Sequence, residues 1–131
     1  MDLFNTITLA ISLISLVGVV YQSINLKQTI DSQIYQNFVA NSLEIDRILI
    51  EKPYLRKYVY YGEPVDDNTE NLDEILSFVE LLIDISENIE VYKKYIPKSR
   101  KEGWFTFVND LKRTPAYAYY YEKHGSWYKE N

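Results

Sequence analysis

The sequence predicts an all-α protein: an N-terminal transmembrane helix continuing into a stalk helix, followed by a small antiparallel helical bundle. Three observations predict it. Residues 3–26 carry no charged side chain. Only four glycines and four prolines interrupt 131 residues, which leaves room for long regular elements. Apolar residues recur at helical rather than alternating spacing. After a membrane span, enough chain remains for one modest core. Cysteine is absent, which removes disulfides, thiolate metal sites and thiol nucleophiles. The net charge of −5 speaks against bulk attraction to nucleic acid.

The strongly apolar part of the first element covers residues 3–24, about 33 Å as a helix and enough to cross a hydrocarbon core. Its polar members, among them Thr6, Thr8, Ser12 and Ser23, are small or able to bond back to the helix. An amphipathic soluble helix would show a charged face. A secretory signal would show a basic start and a small-x-small cleavage site, whereas this stretch starts Met1-Asp2 and ends Tyr21-Gln22-Ser23. The reading is therefore a transmembrane helix over residues 1–26 with a short external N-terminus, and a helical cytoplasmic domain over 27–131. Lys27, followed by Arg47, Lys52, Arg56 and Lys57, sets that orientation in the inner (plasma) membrane by the positive-inside rule. Ser12, Ser15 and Gly18, spaced by three, line one face with small residues suited to self-association.

Ile30, Ile34, Phe38, Ile45 and Leu49 carry an apolar stripe onward to Lys52-Pro53, where proline stops the helix. Span and stalk would make one rod of about 70 Å. The segment after Pro53 reads as a short helix ending at Gly62. Thr69 or Asn71 stands where the next helix, about 70–95, would be capped. Its expected inward face is Leu72, Ile75, Leu76, Val79, Leu82, Ile83, Ser86 and Ile89. A helix near 99–112 presents Trp104, Phe107, Val108 and Leu111. Thr114 and Pro115 then start a last helix, which Gly125 is placed to end.

Charge is segregated along the chain. Residues 63–90 hold ten acidic and no basic side chains, whereas 93–113 hold seven basic and two acidic ones. Pairing of the two blocks within the bundle is the expectation, with contact between the basic block and phosphate or anionic lipid as the functional counterpart.

Candidate chemistry is sparse. Glu80, Asp84 and Glu87 share a helix face, but no glutamate has a histidine three residues on, so a helical di-iron site lacks its ligands. Asp84, inside the apolar run LLIDIS, is paired in this reading with Arg47 of LEIDRILI as a structural ion pair across the bundle. No nucleophile elbow and no phosphate-cradling glycine loop occur. Helical nucleases of the HEPN kind carry Arg-x-x-x-x-His. The only histidine here is His124, and Tyr119 stands where that arginine would be. A ligand pocket, were there one, would use Arg56, Tyr58, Tyr61, Tyr120 and Trp127. No catalytic residue, metal or cofactor is expected.

Pro53, Leu55, Arg56, Tyr58 and Tyr60, with Thr114, Pro115, Ala116, Tyr120, Trp127 and Tyr128, match two segments of an uncharacterised family of small bacterial proteins, which the chain resembles over nearly its whole length. The resemblance implies an N-terminal membrane helix before a helical domain and assigns no activity. The layout is also similar to that of membrane-spanning accessory proteins of bacterial antiviral loci. The functional expectation is a non-enzymatic single-span membrane protein whose cytoplasmic bundle mediates oligomeric assembly or signal coupling. Its expected partners are membrane lipid, further copies of itself and an unknown protein. The alternatives are a membrane-perturbing, pore-forming effector or accessory protein of a bacterial defence system, and a ligand sensor or enzyme with an unrecognised site.

Overall fold

Helix α1 runs over Leu3–Glu51 and stops where Lys52-Pro53 removes the next helical geometry. A computed structural model describes residues 2–128. Met1, the first residue of the expected external N-terminus, and residues 129–131 lie outside the described residues. A 3₁₀ turn, Pro53–Leu55, leads into the short helix α2, Arg56–Val59. Gly62, at φ 69°, turns the chain where a side chain would be strained. Helix α3 covers Leu72–Val91, a 3₁₀ turn covers Lys93–Tyr95, α4 covers Lys98–Lys112 and α5 covers Pro115–His124. A last 3₁₀ turn spans Gly125–Tyr128. The fold is all-α, with no strand among the described residues.

Two compact units divide the chain, Met1–Gln36 and Asn37–Asn131. The first is the leading part of α1, whose apolar side chains are mostly exposed: Leu3 and Ile14 keep 74% and 73% of their surface exposed. Thr8, Ser12 and Ser23 satisfy their hydroxyls by donating to backbone carbonyls four residues back. Of the expected stalk stripe, Ile30 stays exposed and Ile34 half-buried, while Phe38, Ile45 and Leu49 are buried in the second unit.

The second unit is organised on α3. Asp73 and Glu74 in its first turn suit the helix dipole. Asn71 occupies the cap position in a left-handed conformation (φ 58°) without a side-chain cap bond, and the Thr69 hydroxyl is used inside the preceding loop by Asp66. Ile75, Val79, Leu82, Ile83, Ser86 and Ile89 are buried as the spacing predicts, whereas Leu72 and Leu76 are only half-buried. Phe78 and Ile85 are buried as well, which the one-face reading missed. The reason is that α3 is covered on two sides. Phe78 and Leu81 line a cleft with Glu44 and Ile48 of α1, while α4 and α5 pack on the rest. The buried Ser86 hydroxyl donates to the Leu82 carbonyl at 2.7 Å and so costs the core little.

Glu74 ties the start of α3 to the end of α1 through Lys52 and Tyr54. At the other end of the unit the rings of Phe38 on α1 and Trp104 on α4 lie 6.1 Å apart. Phe107 and Leu111 of α4 line a hollow with Val59, Tyr60 and Leu82. These contacts make α3 antiparallel to the adjoining part of α1 and set the start of α4 at the Phe38 end.

Leu82 is 1% exposed, so Leu82→Ala should destabilise the unit by about 2–5 kcal/mol. Leu16→Ala, at a side chain 60% exposed, should leave the same thermal transition unmoved, as followed by circular dichroism in detergent.

Candidate functional site

The tyrosine-rich C-terminus is the densest cluster of polar-tipped side chains, and its geometry begins with a cap. The Tyr117 N–H donates to Thr114 Oγ1 at 3.2 Å, the same hydroxyl donates to the Leu111 carbonyl at 2.8 Å, and Pro115 holds the first helical position. This start aims Tyr120 into the core, where it is 2% exposed and its hydroxyl lies 3.2 Å from that of Tyr128. Burial, reinforced by the Tyr128 hydroxyl, pushes the Tyr120 phenol well above its ordinary range. Tyr117, Tyr121 and Tyr128 form a stack, with centroids 5.6 Å and 6.2 Å apart. Trp127 is 68% exposed and lies against His124 at 4.6 Å, and His124 in turn lies 4.8 Å from Tyr120.

Gly125 does not end α5 in a left-handed conformation. Its φ is −59°, and the chain tightens directly into the 3₁₀ turn. The glycine is needed for closeness instead: a Cβ there would sit 2.8 Å from the Tyr121 ring. That contact lets Tyr128 fold back over Tyr120 and Tyr121.

Between this stack and α3 lies a cleft of about 140 Å³, lined by Ile83, Ser86, Glu87, Glu90, Lys112 and the three stacked tyrosines. Lys112 donates to Glu90 at 2.6 Å, and this bond raises the lysine's pKa. Burial, followed by repulsion from Asp84 and Glu90, raises that of Glu87. Asp84 is also raised, by partial covering first and by Glu80 second, with the Tyr128 hydroxyl opposing. At the other end of α5, Asp67 accepts from Lys123 at 2.8 Å and from Tyr119. The Lys123 ammonium and the Tyr119 phenol hold its carboxyl below the usual range. Nothing in the sequence pointed to Asp67, because a loop carboxylate finds its partner only when α5 folds back along the unit.

The expected pair of Arg47 with Asp84 does not form. Arg47 lies on the exposed side of α1 and binds Glu44 and Glu51 at 2.5 Å and 2.8 Å, partners one turn away on its own helix. Burial differs among the five residues proposed for a ligand pocket. Tyr58 and Tyr120 are core side chains, Arg56 is half-buried, and Tyr61 and Trp127 face solvent. Among the described residues the charge blocks meet in one ion pair, Lys112 with Glu90. The acidic block draws its other partners from Lys52, Lys57 and Lys123. Ser12, Ser15 and Gly18 lie bare or nearly so on α1, and a Cβ at Gly18 would meet nothing within 4 Å. Among the described residues no group of three or more histidines and carboxylates is placed to hold a metal ion. Comparison with protein-family models, with curated proteins and with solved structures finds no match to this chain.

The raised carboxyl of Asp84 carries a sign. Its cost is present above the folded-state pKa and is gone once pH falls below the ordinary value of 3.8. Asp84→Asn should therefore stabilise the unit at pH 7 by up to about 0.5 kcal/mol, and by nothing at pH 3.5, in thermal melts at the two pH values. Gly125→Ala should cost about 1–3 kcal/mol by forcing the Tyr121 ring aside, with a changed near-ultraviolet tyrosine signal as its mark.

Proposed function

We propose that this chain is a non-enzymatic single-span membrane protein whose helical unit, on the cytoplasmic side of the inner (plasma) membrane, mediates oligomeric assembly or signal coupling. One observation carries the reading. The apolar residues 3–26 form a helix long and apolar enough to cross a membrane, and none of that apolar window is buried against the rest of the chain. An uncharged helix that is apolar all round needs lipid or another chain to cover it. The second unit already has its own core in Ile75, Val79, Leu82, Ile89 and Tyr120, so it does not use that surface to fold. The small residues Ser12, Ser15 and Gly18 supply the face through which copies approach in lipid.

Membranes carrying the full chain should retain it through an alkaline carbonate wash, and crosslinking should give discrete oligomers. Gly18→Ile should lower the crosslinked fraction roughly fivefold without releasing the chain from the membrane. Release by carbonate would sink the membrane reading, and monomer alone in crosslinking and native mass spectrometry would sink the assembly reading.

A further inference from the structure

The connection KKYIPKSRK, residues 93–101, holds five of the seven bases of the basic block and no acid. The other two bases are engaged, Lys112 with Glu90 and Arg113 with Asp110. Among the described residues Lys93, Lys94, Lys98, Arg100 and Lys101 make no ion pair. Lys94 lies over the Tyr95 ring at 4.8 Å, and all but Lys101 are exposed. Nor does helix formation account for them. Lys98, Arg100 and Lys101 crowd the first turn of α4, where the helix dipole disfavours cations. The nearest acid in sequence is Glu102, itself exposed on the same turn.

Their place in the unit is defined by its contacts. The start of α3 is tied at Glu74 to Lys52, and α3 runs back along α1, so its far end and the turn Lys93–Tyr95 lie toward Phe38. The ring of Trp104, nearly two turns into α4, lies 6.1 Å from that of Phe38. The basic connection therefore sits at the end of the second unit where the chain enters it, at Asn37. Tyr92, Tyr95 and Trp104 stand among the bases, and such amphipathic rings suit a headgroup layer.

We infer that Lys93, Lys94, Lys98, Arg100 and Lys101 form a docking surface for anionic lipid headgroups of the membrane that the chain spans. The inference rests on the membrane reading above and adds to it a preference for lipid charge. Bases held within a Debye length of an anionic leaflet are attracted individually, by about fivefold in partitioning for each. The surface would hold the helical unit against the membrane and make that contact sensitive to lipid composition and salt.

The test uses the full chain in nanodiscs of phosphatidylcholine alone or mixed with phosphatidylglycerol, with lysine acetylation read by mass spectrometry. Lys93, Lys94, Lys98 and Lys101 should become about fivefold less reactive in the anionic discs, and the protection should fade as salt is raised. Lys123, held at Asp67 toward the opposite end, should not change. Equal reactivity in both discs, with the chain retained through a carbonate wash, overturns the inference and leaves the membrane reading standing. Loss of the chain in that wash overturns both. Protection by a DNA oligonucleotide added to neutral discs, with none from phosphatidylglycerol, would also overturn it in favour of nucleic acid.

Discussion

The helical unit depends on the apolar surface of α3. Ile75, Val79, Leu82 and Ile89 are shielded almost completely, and each such side chain contributes about 1.5–3 kcal/mol when removed from water. No other helix of the unit is buried on so wide an arc. Helices α4 and α5 each pack on α3, and the end of α1 is joined to it through Phe78, Leu81 and Glu74. The polar requirements of that core are met locally, as where Ser86 bonds back to its own helix. A second apolar surface, residues 3–26, shares none of this burial.

Electrostatics decide register more than stability here. The ion pairs of Lys52, Lys112 and Lys123 with Glu74, Glu90 and Asp67 all involve side chains at least one-third exposed, where solvent screening leaves each worth little. Their positions nevertheless fix which loop meets which helix: the end of α1 with the start of α3, the end of α4 with the end of α3, and α5 with the loop before α3. Among the described residues, this use of bases drawn from along the chain leaves the cluster between α3 and α4 without ion pairs. An unpaired cluster against a helix dipole is a cost to the fold, and its location at the α1 end gives that cost a use.

The aromatic C-terminus shows how a cluster that resembles a reactive site serves structure. Tyr120 fills the core, Tyr128 closes over it, and Tyr117 and Tyr121 stack outside them. Burial raises the Tyr117, Tyr120 and Tyr128 phenols and the Asp84 and Glu87 carboxyls, yet Lys112 is already committed to Glu90 and His124 is packed between Tyr120 and Trp127. The geometry is that of a clasp. Its tightness rests on Gly125, whose missing side chain leaves room for the Tyr121 ring.

Local physics made much of this readable from sequence alone. Proline at 53 and the Thr114-Pro115 start each act on their own backbone, and the resulting boundaries appear where those residues stand, whereas α2 ends at Val59, three residues short of the expected stop at Gly62. Helical periodicity named six of the eight buried positions of α3, and the uncharged run 3–26 was evident from composition. What tertiary structure alone decided was every contact between residues distant in the chain. Phe78 and Ile85 are buried because α3 is covered from two directions, which one face of periodicity cannot express. Arg47 turned to Glu44 and Glu51 because neighbours one turn away cost less to reach than Asp84 across the bundle. Gly125 matters through a ring four residues back, and the bases of 93–101 share one end of the unit because α3 runs back along α1. Sequence determines where helices start, stop and hide a face; which surfaces those faces meet depends on how all the helices are covered at once.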